Sequence, residues 1–303
     1  MTTPAAGDRF TILQDVEVGR ASRGVSANAA RRPRVLYVTD LAYSARGRRY
    51  CDEDIALSTR LRRSFDIALC HPGDAVSLMD GFDVVLVRNS GPVIHYPEDY
   101  AAFVEHAKAT GAKVLTQLSG KADMAGKQYL LDLYSKGYPV TPTIETPSDL
   151  HRLPSASKYA VKPKFGADSV GLRYLKREEL TELDWDGLLV QPRIDFEYEV
   201  SFYFVDHDFH YALYTPDPAR RWDLQPYEPN DEDLAFAQGF IDWNDIEHGV
   251  QRVDACRTRT GGLLLVELED LNPYLSLDRV DSSVAESFAV GLEKSIHALA
   301  WMP

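Results

Sequence analysis

The chain has 303 residues, 45% hydrophobic and 26% charged, which suits a soluble enzyme of two domains or three small ones. Its formal charge of −13 argues against nucleic acid or an anionic membrane as partner, and no apolar run approaches the roughly 20 residues of a membrane span. The N-terminus lacks the basic-then-apolar order of a signal peptide, and three widely spaced cysteines indicate neither a disulfide framework nor a zinc site, so a reducing, cytoplasmic setting is expected.

Residues 1–32 are rich in Ala, Arg, Gly and Ser, with only "RFTILQDVEV" resembling a strand; they read as an extension, mobile for much of its length. The organised part opens with "RVLYVTD" (34–40), an apolar run suited to a parallel strand. A helix from about Asp52 to Ser64 follows, then "FDIALC" (65–70) and "FDVVLVR" (82–88) as strands. Next come the helix "YAAFVEHAKATG" ending in Gly111, the strand "KVLTQL" and a helix from Lys127 to Ser135. Strands alternating with helices predict an α/β unit with a doubly wound parallel sheet. Its ligand crevice lies at the carboxyl ends of the strands, where Asp40, Arg88 and Asn89 fall.

From about Pro139 the grammar changes to α+β. "YAVKPK" (159–164), "VGLRYLK" (170–176), "LLVQPRI" (188–194), "YEVSFYFV" (198–205) and "FHYALYT" (209–215) are strands separated by turns, hence an antiparallel or mixed sheet. "DEDLAFAQGFIDWN" (231–244) reads as a helix, and "SSVAESFAVGLEKSIHALA" (282–300) as a closing helix capped by Ser282 or Ser283.

Between those helices, "GVQRVDACR" (249–257) and "LLLVELE" (263–269) form a predicted hairpin with Thr260-Gly261 as a two-residue turn. In that register Asp254 faces Glu267 and Arg252 faces Glu269. Side chains alternate, so these four share one face while Val253, Ala255, Leu264, Val266 and Leu268 take the other. Three neighbouring carboxylates repel unless a cation sits among them. A hard divalent ion fits, and Mg²⁺ usually arrives with phosphates; Arg252 could hold a phosphoryl oxygen bidentately. The other reading is a solvated face laced with ordinary salt bridges.

A second constellation lies in "YAVKPKFGADSVGL" (159–172). Lys162 ends a strand, and the turn that follows holds Gly166, Ser169 and Gly171. Small residues let backbone N–H groups approach phosphate oxygens, and the lysine adds a point charge. The lysine precedes the glycines, so this is no Walker A loop; taken alone it could be only a hairpin turn.

Together these segments resemble the ATP-grasp ligases, especially the glutathione-synthetase and D-alanine–D-alanine-ligase branches, over roughly residues 33–277. The resemblance implies an N-terminal substrate domain (33–138), a central lid subdomain (139–197) and a C-terminal subdomain with the metal site (198–303). "GKQYLLDLYSKGYPVTPT" matches the segment whose lysine, here Lys127, contacts ATP phosphates. "VKPKFGADSVG" matches the second phosphate lysine, Lys162, with its glycine-rich lid. "LLVQPRIDFEYEVSFYF" matches the adenine-contacting hinge, which implies Gln191, Pro192, Arg193 and Ile194 near the base and Glu199 on the ribose. "QRVDACRTRTGGLLLVELEDLNP" is similar to the family's Arg-x-Asp followed by Glu-x-Asn, with Asp254 and Glu267 in place. It departs at the next position, where Glu269 stands for the asparagine. The implied metal set is Asp254, Glu267 and Glu269, with Asn272 as the alternative to the last.

The implied chemistry uses ATP and Mg²⁺, with Mn²⁺ the other admissible ion. A carboxylate of a small amino-acid-like substrate becomes an acyl phosphate that a nitrogen attacks, with Arg252 and Lys162 as the catalytic charges. Arg88, Asn89 and Ser90 in "VRNSGP" and Arg220 and Arg221 in "YTPDPARRWDLQPYEP" are candidates for substrate contacts, against a reading of the arginines as plain surface. Asp52, Glu53 and Asp54 in "RRYCDED" read as acids complementing a helix dipole. "RRYCDEDIALSTRLR", "VRNSGPV", "ADMAGKQYLLDL" and "VELEDLNPYLSLD" resemble an antibiotic-pathway branch that closes a ring within one small molecule. A phosphotransferase acting on a hydroxyl and a nucleotide-binding scaffold without catalysis are the alternatives, and a homodimer is left open.

Overall fold

The computed structural model describes residues 31–45, 48–88, 95–165, 171–217, 220 and 223–302. The strand-like "RFTILQDVEV" and the candidates Asn89, Ser90, Gly166, Ser169 and Arg221 lie outside them.

The first apolar run becomes β1 (Arg34–Val38), buried from Val35 onward. After it come β2 (Ser44–Ala45), β3 (Arg48–Arg49), α1 (Cys51–Leu61), β4 (Asp66–Cys70), α2 (Ala75–Leu78) and β5 (Val84–Val87). Then follow α3 (Pro97–Thr110), β6 (Val114–Leu115) and α4 (Gln128–Ser135). The four longer-range strands form a parallel sheet in the order β4-β1-β5-β6. The chain moves from β1 to one side and then returns to the other, as a doubly wound sheet requires. α3 ends as predicted at Gly111, whose φ of +69° suits a residue without a Cβ. "KVLTQL" is cut to two residues because the chain leaves the sheet for the C-terminal half. Thr116 Oγ1 accepts from Val250 N (3.0 Å), and Gln117 N donates to His248 O (3.0 Å).

A three-stranded antiparallel sheet follows, with β7 (Tyr159–Pro163), β8 (Arg173–Leu175) and β9 (Leu188–Pro192) in the order β8-β7-β9. It has its own small core of Ile144, Tyr159, Val161, Leu180 and Val190. The last sheet holds β10 (Phe196–Val205), β11 (Asp208–Thr215), β12 (Gln225–Tyr227), β13 (Val250–Thr258) and β14 (Leu263–Glu269). Its order is β12-β11-β10-β13-β14, with every pair antiparallel. α5 (Asp231–Asn244) precedes β13, and α6 (Ser282–Trp301) closes the chain. Asp281, in extended backbone, is the residue before α6, so the helix starts one residue ahead of the predicted serine cap.

One hydrophobic core joins the parallel sheet to the last one. Val35, Tyr37 and Leu86 pack with Tyr203 and Leu213 and with Phe288, Leu292 and Ile296 of α6. Each large aliphatic side chain so buried contributes about 1.5–3 kcal/mol relative to exposure. This packing brings the carboxyl ends of β1 and β5 toward the β13–β14 hairpin. No helix among the described residues is long and apolar enough to cross a membrane.

Candidate active site

The hairpin forms where predicted, but its turn is longer. Thr258 N donates to Gly262 O (2.8 Å), enclosing Arg259, Thr260 and Gly261, and Gly261 has a φ of +90°. A three-residue turn closed by a left-handed glycine is a common hairpin solution. Left alone, that extra residue would turn the acids to the wrong face. A β-bulge between Asp254 and Ala255 and their partners corrects it: Ala255 pairs with Leu265, whereas Asp254 pairs with Glu267 and Arg252 with Glu269. Val266 is the residue left out of the ladder. The charged face is therefore as predicted, and the apolar face is not. Leu263 and Leu265, rather than Leu264 and Val266, are buried with Val253, Ala255 and Leu268.

Oxygens of Asp254, Glu267 and Glu269 lie within 4.8 Å of one another. Arg252 holds Asp254 by both ends, Nε to Oδ1 at 2.9 Å and Nη2 to Oδ2 at 2.8 Å. It also donates to Glu269 Oε1 (2.6 Å) and to the carbonyl of Tyr274 (2.9 Å). Ser201 Oγ donates to Asp254 Oδ1 at 2.6 Å. Lys127 donates its ammonium to Glu267 Oε1. The three acid side chains are 19%, 31% and 18% exposed, too enclosed for a freely solvated face. Burial pushes Glu269 up to about 8, although Arg252 pulls the other way. Arg252 is itself carried well above its usual value: burial opposes the charge, but Asp254 and Glu269 outweigh it. With all three carboxylates ionised, as a bound cation would make them, the two cations leave one negative charge, and an all-oxygen donor set is what a hard divalent ion takes.

Two lysines meet at this face from different elements. Lys127 stands just before α4 and is buried, and its backbone N–H donates to Lys164 O (3.0 Å). Lys162 lies on β7, where burial, and then the nearby charge of Lys127, push it down to about 7. A lysine whose charge is disfavoured by burial and by a second ammonium nearby regains that charge when an anion binds beside it.

No family model matches this sequence, and a search of curated proteins finds no match. Solved structures do match. Over 86% of this chain and 98% of the other, the crystal structure of D-cycloserine synthetase DcsG agrees with a TM-score of 0.66 at 20% identity. ATP-grasp ligase PsnB complexed with minimal precursor gives 0.62 at 15% identity, over 88% and 99% of the two chains. D-alanine–D-alanine ligase from Bacillus anthracis complexed with ATP gives 0.59 at 14%, over 88% and 97%. The chain has the ATP-grasp fold. A further PsnB structure is complexed with Mg and ADP.

In this ATP-grasp structure the remaining predicted residues take different places. Glu199 shares the charged face: on β10 it lies opposite Cys256, as Ser201 lies opposite Asp254 and Tyr203 opposite Arg252. Gln191 and Pro192 end β9 and are buried, and Gln191 Nε2 donates to Thr143 Oγ1 (2.8 Å), so its side chain serves the packing. Ile194 is half-buried, and the exposed Arg193 lies over the Tyr174 ring at 5.8 Å. Gly171 has a φ of +78°, and a Cβ there would come 2.8 Å from Pro163 Cγ, so the turn after Lys162 needs glycine at this end. Asn272 lies beyond β14, half-buried.

The substrate candidates fare differently. Arg220 is exposed and paired with Asp217 and Asp223, both at 3.3 Å. Arg88 is 1% exposed and turned into the protein. It donates to the carbonyl of Pro273 (2.9 Å) and lies 3.9 Å from Glu53 and 3.8 Å from Asp54. These two acids correct the helix-dipole reading. Asp54 is buried and accepts from Tyr37 Oη and Thr39 Oγ1, and Glu53 accepts from Leu275 N (2.8 Å) and Leu277 N (3.1 Å). Burial pushes Glu53 up to about 7 against the pull of Arg88. Only Asp52 stays exposed at the helix start, paired with Arg49 (2.7 Å). Sequence reasoning missed Ser201 and Tyr203; alternation along β10 from Glu199 could have found both.

Proposed function

We propose that the protein is an ATP- and Mg²⁺-dependent ligase that activates the carboxylate of a small, amino-acid-like substrate as an acyl phosphate for attack by a nitrogen. The observation that carries this reading is the cluster of Asp254, Glu267 and Glu269, flanked by Arg252, Lys127 and Lys162. A divalent ion held there would neutralise phosphate charge, which is most of what phosphoryl transfer asks of a protein. The chain's own residues do the rest. Lys127 and Lys162 bind and orient phosphate oxygens. Glu199 stands on the same face for the ribose, with the end of β9 as the hinge beside the base. Arg252, fixed by Asp254 and Glu269, holds a fixed positive charge where the activated carboxyl would develop negative charge. The lid expected after Lys162, of which Gly171 is the described end, would exclude water from the site.

Among the similar structures, the D-cycloserine synthetase and the segments "RRYCDED" and "VELEDLNPYLSLD" favour an intramolecular nitrogen, so that one small molecule is closed into a ring. The reading also keeps the protein in the cytoplasm, with no nucleic-acid or membrane partner.

The test is ADP release across amino acids and their derivatives, repeated with hydroxylamine. Trapping of a hydroxamate supports carboxyl activation. ADP release with a stable phosphate ester and no hydroxamate would replace the ligase by a phosphotransferase, and nucleotide binding without ADP release would leave only a scaffold.

A further inference from the structure

Behind the charged face lies a second polar cluster, with Asn244, Gln251 and Asp270 buried and Asp123 half-buried. Asp270 follows Glu269 and turns to the opposite side, where it is fully enclosed together with Asn244 and Gln251. Asp270 Oδ1 accepts from Met124 N (2.9 Å), and Oδ2 accepts from Ala122 N (3.1 Å) and Asn244 Nδ2 (3.0 Å). Asp123 answers in the other direction, with its Oδ1 accepting from Asp270 N (2.6 Å) and Leu271 N (3.0 Å). Asn244 Oδ1 accepts from Lys121 N (2.7 Å), and its Nδ2 donates to Gln251 Oε1 (2.8 Å). Gly120 completes the fit, since a Cβ there would stand 2.2 Å from Asp270 Oδ2.

Burying so many polar groups costs free energy that an apolar contact would not, and it is tolerated here because the groups satisfy one another. What such a network provides over an apolar contact is fixed geometry. Apart from Asn244 on α5, its members lie close in sequence to the site. Gln251 precedes Arg252 on β13, Asp270 follows Glu269 at the end of β14, and residues 121–124 lead directly into Lys127. On a strand, adjacent side chains point to opposite sides, so a residue clamped behind the sheet sets the aim of its neighbour in front.

We propose that Asp123, Asn244, Gln251 and Asp270 form a positioning cluster that sets Lys127 against Glu267 and holds Arg252 and Glu269 in place, so that cation and acids meet as one preorganised site. The ligase reading enters only through what is positioned; the cluster itself stands on its own hydrogen bonds.

Asp123→Ala removes the acceptor for two backbone N–H groups, whereas Asp123→Asn keeps an oxygen in the same place. Calorimetry with Mg·ADP and amide hydrogen exchange read the two variants. The expected result for Asp123→Ala is at least tenfold weaker Mg·ADP binding and lost protection at Asp270, Leu271 and the Lys127 N–H, with Asp123→Asn within about threefold of the parent. Lost protection at Asp270 and Leu271 with unchanged affinity and an unchanged Lys127 N–H would overturn the proposal. So would an asparagine variant as weak as the alanine one. If the parent protein binds no Mg·ADP, the ligase reading fails, and the Lys127 N–H alone decides the cluster: faster exchange in Asp123→Ala supports it and parental exchange overturns it. Should Asp123→Ala not fold, Asn244→Ala removes the bonds from α5 to Lys121 and Asp270 and is expected to move the same readouts by a smaller factor.

Discussion

Asp254 pairs with Glu267 across the hairpin although the turn between their strands is one residue longer than alternation alone would place it, because Val266 bulges out of the ladder. Two local departures cancel, and the acids stay on one face. Leu265, fully buried, and Val266, half-buried, therefore make a direct test. Leu265→Ala is expected to cost about 2–5 kcal/mol in denaturant unfolding, and Val266→Ala no more than about 1 kcal/mol. The reverse order would mean that the ladder is regular and the bulge wrong.

Glu267→Gln is expected to abolish Mg²⁺-dependent ADP formation while the melting temperature stays within a few degrees of the parent. The amide keeps an oxygen for Lys127 but loses the charge that a divalent ion needs. Near-parental turnover at saturating Mg²⁺ would remove Glu267 from the metal set.

Glu269→Ala should raise the Mg²⁺ concentration for half-maximal rate far more than Asn272→Ala does. Glu269 is part of the carboxylate cluster, whereas Asn272 lies past the end of β14. Glu269→Asn should keep partial activity at a higher Mg²⁺ requirement, because a neutral oxygen ligand holds the ion less tightly. Equal effects of the two alanine variants would put Asn272 in the metal set as well.

Lys162 makes nucleotide binding depend on pH. Its value falls from 10.5 to about 7 in the folded chain. Phosphate oxygens favour the ammonium form, so binding of Mg-free ADP should take up a proton. At pH 8 about nine-tenths of Lys162 is neutral beforehand and uptake is near its maximum, whereas below pH 6 it vanishes. Calorimetry in buffers of different ionisation enthalpy measures it, and Lys162→Met should abolish it. The same shift makes this lysine's contribution to stability rise with pH between about 7 and 10, since there the unfolded chain holds the proton and the folded chain does not. Proton release on binding Mg-free ADP at pH 8 would contradict the assignment.

Arg88→Leu separates a packing role from a substrate role. It would leave Glu53 and Asp54 without their buried cation, at a cost of about 3–5 kcal/mol in unfolding free energy. If instead stability is unchanged and only the KM for substrate rises, Arg88 reaches the crevice after all.

Several features were legible in the sequence because they depend on local order. Alternation puts Arg252 and Asp254 on one face of β13 and Glu267 and Glu269 on one face of β14, although that the two faces coincide was decided by the longer turn and the bulge at Val266 together. Strand–helix alternation from Arg34 to Ser135 is enough for a parallel sheet. The spacing of Lys127, Lys162 and the acids carried the resemblance to a fold that the structural matches bear out. Tertiary structure decided the rest, because it turns on which groups distant segments bring together. Glu53, Asp54 and Asp52 look alike in "RRYCDED", yet only the first two are buried, one of them by amides of Leu275 and Leu277 from the far end of the chain. Asp270 resembles its neighbours in "VELEDLNP", and its burial becomes apparent only when the N–H groups of Ala122 and Met124 arrive to satisfy it. A carboxylate's role follows from its solvation and its partners, and short-range pattern carries neither.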